Sequence, residues 1–66
     1  MTILQIKLKN GSVKEYEYKN LTINELEAKV KKDNSGTSDY FNIKYTNCVV
    51  QILKSEIEKI TFRQIL

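Results

Sequence analysis

The N-terminal part of the chain contains two runs in which apolar and polar residues alternate, at residues 2–9 and 13–19. The apolar positions are Leu4, Ile6 and Leu8 in the first run and Tyr16 and Tyr18 in the second. Because successive side chains of a β-strand point to opposite faces, this period predicts two strands that each have one apolar face. The dipeptide between the runs is Asn10-Gly11, which favours a hairpin turn. The pattern therefore predicts an antiparallel hairpin.

The length of the hairpin loop decides which side chains share a face, since a shift of one residue turns a strand over. A two-residue loop would place the glutamates of the second strand beside the apolar stripe, whereas loops of odd length avoid this conflict. The loop Asn10-Gly11-Ser12 would pair Leu4 with Tyr18. The loop Lys9-Asn10-Gly11 would pair Leu4 with Tyr16 and put its glycine in the left-handed position of a bulge. We expect a bulged turn of odd length, and these two alternatives stay open.

The next segment carries several signals of a helix. Thr22 and Glu25 have the spacing of a capping box, in which each side chain accepts a hydrogen bond from the other residue's backbone. Lys31 and Lys32 would lie at the negative end of the helix dipole. The apolar residues at helical spacing are Ile23, Leu26 and Val30. We predict one helix at about residues 23–32.

The C-terminal half again shows the period of β-strands. A tight turn at Thr46-Asn47 would match every apolar partner of a second hairpin. The predicted pairs are Tyr45 with Cys48, Ile43 with Val50 and Phe41 with Ile52. After this hairpin we expect one helical turn at about Ser55–Ile57 and a last strand from Lys59 to about Gln64.

These elements predict a single compact domain that covers residues 1–66. The fold class is α+β in the order ββαβββ, with a five-stranded, strongly twisted antiparallel sheet and one helix. This sheet either stays open or curls into a partly closed, SH3-like barrel. The strand pattern is loosely similar to SH3-like and Sm-like barrels in topology only. No sequence motif supports that likeness, and the Sm order begins with its helix, so we assign no family.

The alternation also separates two apolar sets. The main set, which we expect to form the core, is Leu4, Ile6, Leu8, Tyr16, Ile43, Val50, Ile52, Ile60 and Phe62. A second, smaller set has the opposite parity and consists of Ile3, Val13, Val49, Leu53 and Ile65. If the sheet stays open, the second set forms an exposed apolar surface, which is typical of a partner-binding site.

Composition restricts the ways in which so short a chain can be stabilised. A chain of 66 residues has a small core, and such chains commonly need a disulfide, a metal or a second subunit. Cys48 is the only cysteine and there is no histidine, so neither a disulfide nor a zinc-type ligand set is expected. A homo-oligomer is therefore expected as readily as a monomer. The unpaired cysteine and the lack of a long apolar run or leader favour a cytoplasmic protein with no membrane contact.

The residues give little basis for catalysis. Without histidine the commonest general base is absent, and the parity of Cys48 places it in the core with Val50 and Ile52. The glutamate pairs Glu15/Glu17 and Glu25/Glu27 are typical of solvated faces. We predict that the protein is not an enzyme and has no cofactor.

Two hypotheses for function remain. The leading one is a small interaction module that binds a protein partner, such as a phage or mobile-element protein that inhibits or sequesters a host or defence protein or a small nucleotide. Its basis is the leftover apolar set and a composition typical of an AT-rich genome. The alternative is nucleic-acid binding, in which tyrosines stack on bases and lysines contact phosphates. The net charge of +3 is low for that role, and its candidate residues are Lys14, Tyr18, Lys19, Tyr40 and Lys44.

Overall fold

The fold is known from a computed structural model that describes residues 1–45 and 47–66. The strands are β1 (Thr2–Leu8), β2 (Val13–Tyr18), β3 (Tyr40–Tyr45), β4 (Cys48–Leu53) and β5 (Ile57–Gln64), with one α-helix, α1 (Ile23–Asp33), between β2 and β3. All strand pairs are antiparallel, and the class is α+β as predicted.

The five strands form two sheets rather than the single sheet that we predicted. One sheet has the order β2-β1-β5, and the other is the β3–β4 hairpin alone. The structure is not a closed barrel. The reason is that β5 pairs with β1 instead of β4, because a short 3₁₀ turn at Lys54–Glu56 carries the chain from one sheet to the other. A hydrogen bond of 2.9 Å from the Lys9 N–H to the Glu56 carbonyl attaches this turn to the end of β1.

The first hairpin has the register of the loop Lys9-Asn10-Gly11. Leu4 lies opposite Tyr16, as that alternative requires, and the loop Asn10-Gly11-Ser12 is wrong. Gly11 has a φ of +92°, the left-handed conformation that glycine adopts without a steric penalty. The expected odd-length, bulged turn is therefore confirmed.

The helix begins with the predicted capping box. The Thr22 N–H donates to Glu25 Oε1 at 2.9 Å, and the Glu25 N–H donates to Thr22 Oγ1 at 3.2 Å. The helix ends at Asp33, one residue beyond the predicted end. A buried hydroxyl, Thr2 Oγ1, donates to the Leu21 carbonyl at 2.5 Å and so joins the segment before the helix to the first residue of β1.

The second hairpin has the predicted register, with Tyr45 opposite Cys48 and Phe41 opposite Ile52. The predicted turn residue Thr46 lies outside the described residues. The helical turn expected at Ser55–Ile57 is a 3₁₀ turn at Lys54–Glu56, and β5 begins directly after it.

The core lies between the two sheets and the helix. Its buried members are Leu4, Ile6, Leu8, Leu26, Val30, Phe41, Ile43 and Ile52. The other members of the predicted apolar face, Tyr16, Val50, Ile60 and Phe62, are partly buried against this cluster. Parity along the strands therefore identified the core-facing side of all five strands.

Candidate interaction surfaces

The structure does not bring the second apolar set together. Ile3 is only 4% exposed, so its place in an exposed surface is corrected. Val13 lies on β2, and Ile65 follows β5. Only Val49 and Leu53 remain on one element, the strand β4, and both are exposed.

The face of the three-stranded sheet that lies away from the core is polar, which explains why Ile3 belongs to no apolar patch. Glu15 Oε2 accepts a hydrogen bond from Gln5 Nε2 at 3.0 Å and from Arg63 Nη2 at 3.1 Å. Glu15 thus connects all three strands across this face. Lys7 forms a further exposed ion pair with Glu58 at 3.3 Å. This face is a solvated surface.

The side of the β3–β4 hairpin that lies away from the core is different. We call it the hairpin outer face, and its residues are Tyr40, Asn42, Lys44, Val49, Gln51 and Leu53. Tyr40 and Leu53 lie directly opposite each other and are 43% and 37% exposed, and Val49 is 58% exposed. Gln51 Nε2 donates to Asn42 Oδ1 at 3.0 Å in the middle of the face. The outer face therefore has exposed apolar side chains near both ends and a paired polar centre.

Our sequence reasoning missed Tyr40 as part of this apolar surface. Tyr40 has the parity of Asn42 and Lys44, so the alternation along β3 alone marks it as solvent-facing and polar. The signal that could have identified it is cross-strand pairing. The predicted register extends naturally to Tyr40 opposite Leu53, a residue that belonged to the second apolar set.

Part of the proposed nucleic-acid set lines an open cleft of about 510 Å³, which we call the tyrosine cleft. Its lining residues are Glu17, Tyr18, Lys19, Asn20, Leu21 and Tyr45. The Tyr18 and Tyr45 rings meet edge to face, with centroids 5.3 Å apart, and the Tyr16 and Tyr45 centroids are 5.9 Å apart. Such edge-to-face packing stabilises the junction between the two sheets.

Two lysines beside this cleft form ion pairs with one carboxylate. Asp33, which is mostly buried, lies 3.2 Å from Lys29 Nζ and 3.6 Å from Lys44 Nζ. Lys29 Nζ also donates to the Lys44 carbonyl at 3.1 Å and lies 5.8 Å from the centroid of the Tyr18 ring. Asp33 therefore balances one of the two positive charges of Lys29 and Lys44, and Lys19 is the exposed lysine that lines the cleft itself.

The remaining nucleic-acid candidates lie elsewhere. Tyr40 begins β3, at the end opposite Tyr45, and Lys14 lies near the start of β2. Five residue steps along a strand span roughly 17 Å. The structure therefore brings together Tyr18, Lys19 and the backbone of Lys44, and separates them from Tyr40 and Lys14.

Burial favours the neutral form of two tyrosines of β2, Tyr16 and Tyr18. Burial raises the pKa of Tyr16, with a smaller contribution from the nearby Cys48. Burial is also the largest cause that raises the pKa of Tyr18, followed by the charges of Tyr45 and Asp33. A raised pKa makes the Tyr16 and Tyr18 hydroxyls harder to deprotonate, which does not favour a role as a general base. Their rings pack against Tyr45 and so join the two sheets.

Cys48 is exposed, so its predicted place in the core is wrong. The parity was right, because Cys48 lies close enough to Tyr16 to affect its pKa. The error concerns position along the strand. Cys48 is the first residue of β4, at the tip of a two-stranded hairpin, where core side chains no longer cover it.

Within the described residues no group of three or more carboxylate or cysteine side chains is arranged to hold a metal ion. The one α-helix is too short to cross a bilayer. No protein-family model matches the chain, no curated protein sequence matches it, and no solved structure matches its fold. Function is therefore argued from the surfaces alone.

Proposed function

We propose that the protein is a non-catalytic interaction module that binds a protein partner through the hairpin outer face. The observation that carries this proposal is the grouping of Tyr40, Val49 and Leu53. These three exposed apolar side chains share one side of a two-stranded sheet. Exposed apolar residues that group on one rigid element are typical of protein contact sites, and aromatic residues are enriched there.

The absence of histidine from the chain supports a non-catalytic role, because no imidazole is present to activate the exposed Cys48. The composition, rich in Lys, Ile, Asn and Glu, supports a phage or mobile-element source and a cytoplasmic site of action. In that setting the module would act by occupying the surface of a host or defence protein.

The experiment is an affinity capture from the native host with three baits. These are the wild type, Val49→Glu on the outer face, and Val13→Glu on β2 as a matched control. Val49 and Val13 are 58% and 51% exposed, so the same substitution has a similar effect on folding at both sites. We expect wild type and Val13→Glu to retain a common partner that Val49→Glu loses. Equal capture by all three baits would contradict the proposal.

A second candidate function, binding of single-stranded nucleic acid or a small nucleotide, is supported by the tyrosine cleft. Tyr18 and Lys19 line this cleft together. It is the weaker candidate because the Tyr18 ring already packs against Tyr45 and already has the Lys29 ammonium 5.8 Å from its centroid. Titrations with single- and double-stranded DNA and RNA at two salt concentrations test it. Binding that weakens steeply with salt and is lost in Lys19→Ala would favour it over the outer face.

A further inference from the structure

The hydrogen bonds of the β3–β4 hairpin show which backbone groups point away from the pair. The Lys54 N–H donates to the Asp39 carbonyl at 2.9 Å, which makes this pair a hydrogen-bonded one. Hydrogen-bonded and non-hydrogen-bonded pairs alternate along an antiparallel ladder. The backbone groups that point outward from the hairpin are therefore those of Tyr40, Asn42 and Lys44 on β3 and of Val49, Gln51 and Leu53 on β4.

The outward edge of β3 is filled by side chains. The Asn42 N–H donates to Asn34 Oδ1 at 2.6 Å, and Asn34 Nδ2 donates to the Asn42 carbonyl at 2.9 Å. The Asn34 amide thus bonds to both groups of Asn42, as a neighbouring strand would. The Tyr40 N–H donates to Ser38 Oγ at 3.1 Å, and the Lys44 carbonyl accepts from Lys29 Nζ. This edge is unavailable to another strand.

The outward edge of β4 differs from that of β3 in its free backbone groups, and the strand also lacks charged side chains. Within residues 1–45 and 47–66, no hydrogen bond reaches the outward groups of Val49 and Gln51 or the Leu53 N–H. The Leu53 carbonyl precedes the 3₁₀ turn and accepts its first hydrogen bond. The sequence of the strand, CVVQIL, carries no charge. The other two edge strands, β2 and β5, carry glutamate, lysine or arginine side chains, which discourage pairing between edges.

We propose that β4 pairs with β4 of a second copy of this chain, antiparallel about a two-fold axis at Gln51. In this register Gln51 faces Gln51 of the second copy, Val49 faces Leu53, and Val50 faces Ile52, so every apolar residue of the strand between Val49 and Leu53 meets an apolar residue. All three outward-facing residues then form hydrogen-bonded pairs. The contact is isologous and closes on itself as a dimer.

The self-complementary strand is the reason for choosing a second copy rather than an unrelated strand. The same pairing on β2 would bring the glutamates of two copies close together, whereas on β4 no charges meet. The dimer joins two hairpins into one four-stranded sheet and places two hairpin outer faces side by side. The inference extends the proposed function, because it doubles the surface offered to a partner, but its test needs no partner. A contact between two short strands is small, so we expect a concentration-dependent dimer.

The test uses charges at the two-fold axis. Gln51→Glu and Gln51→Lys each place like charges on directly opposed residues, whose Cα atoms lie about 5.5 Å apart across the axis of the dimer. Gln51 is exposed in the monomer, so both variants should fold. Gln64→Glu and Gln64→Lys are the matched controls, because Gln64 is also exposed and lies at the end of β5. Light scattering after size exclusion, over a range of concentrations, separates the monomer of 7.7 kDa from a species of twice that mass.

We expect wild type and both Gln64 variants to reach the dimer mass at high concentration. Each Gln51 variant alone should dimerise at least about tenfold more weakly. An equimolar mixture of Gln51→Glu and Gln51→Lys should recover the dimer, since the opposed charges then attract. That recovery also shows that both variants are folded.

Three results would overturn the inference. They are a monomeric wild type at all concentrations, a dimer that neither Gln51 variant weakens, or variants that stay monomeric when mixed. A monomeric wild type that still captures a partner through Val49 would overturn the dimer and leave the proposed function standing. Conversely, a Gln51-dependent dimer whose Val49→Glu variant loses no partner would overturn the proposed function alone.

Discussion

Asn34 should contribute more to stability than any other exposed or half-exposed polar side chain, because it substitutes for a missing strand beside β3. Its amide makes three hydrogen bonds: Nδ2 donates to the Val30 carbonyl at 2.8 Å and to the Asn42 carbonyl at 2.9 Å, and Oδ1 accepts from the Asn42 N–H at 2.6 Å. The substitution Asn34→Ala removes all three. Two of these bonds join the end of the helix to β3 at Asn42.

The expected loss follows from these bonds. Each hydrogen bond contributes roughly 0.5–1.5 kcal/mol net, and water can partly replace the bonds of a half-buried group. We therefore expect Asn34→Ala to lower the free energy of unfolding by about 2 kcal/mol. For a domain of this size that loss corresponds to a decrease in Tm of roughly 8–16 °C. Urea unfolding followed by circular dichroism measures the change, and amide exchange at Asn42 should accelerate.

Two further variants make the test specific. Asn34→Asp keeps an acceptor for the Asn42 N–H but loses both donated bonds and adds a negative charge at the C-terminal end of the helix, so it should be at least as destabilising as alanine. Asn24→Ala removes an exposed asparagine from the same helix and should leave stability unchanged or slightly higher. A loss below about 0.5 kcal/mol in Asn34→Ala would refute the reasoning, since the edge of β3 would then be satisfied equally well by water.

Three other outcomes follow from the structure. Thr22→Ala should cost about 1 kcal/mol in urea unfolding at neutral pH, because it removes the hydroxyl that accepts from the Glu25 N–H in the capping box. The backbone and side-chain hydrogen bonds to Thr22 lower the pKa of Glu25 from its ordinary 4.5, so the box contributes stability above that pH and loses it as the pH falls through the lowered pKa. Glu25→Gln, which removes the titrating carboxyl, should therefore show a flatter acid limb, and an unchanged limb would contradict the assignment. Burial raises the pKa of Tyr18 above 10.0, so its contribution is complete below that pH and is lost as the pH rises through the raised pKa. Tyr18→Phe should flatten this alkaline limb in unfolding midpoints measured against pH, and a limb identical to that of the wild type would refute this cause. Cys48 is exposed and should react with Ellman's reagent without denaturant, and a thiol that reacts only after unfolding would show that the tip of the hairpin is covered.

The elements that the sequence predicted correctly are those whose signals are local. The capping box at Thr22 and Glu25 needs only the spacing of two residues, and both of its hydrogen bonds are present. The register of the second hairpin follows from matching apolar residues across a short turn, and it holds from Tyr45 opposite Cys48 to Phe41 opposite Ile52. In the first hairpin the sequence reduced the register to two odd-length loops, and the structure has the one in which Gly11 adopts a positive φ.

The incorrect predictions concern contacts between distant parts of the chain. Parity identifies the face on which Cys48 lies. It does not show that Cys48 is the first residue of β4, where core side chains no longer cover the strand. The same limit explains Ile3, which has the parity of a solvent-facing residue but lies in the central strand of its sheet and is only 4% exposed. The division into two sheets depends on whether β5 pairs with β1 or with β4. Alternation is the same in both cases, so the pattern could not decide it.

The edges of the strands matter to the proposed binding as much as the hairpin outer face does, and they are the feature that alternation describes least. The pattern of apolar and polar residues describes the two faces of a strand and not its two hydrogen-bonding edges. Only the arrangement of neighbouring elements shows which backbone groups at an edge stay free. Here β3 and β4 form one hairpin, yet Asn34 and Ser38 fill the edge of β3, whereas no group of the described residues bonds to the edge of β4 at Val49 and Gln51. Because CVVQIL also lacks the charges that protect β2 and β5, the hairpin has one edge suited to pairing with another strand. Small chains commonly gain stability from a second subunit, and the proposed dimer would supply that contact at β4.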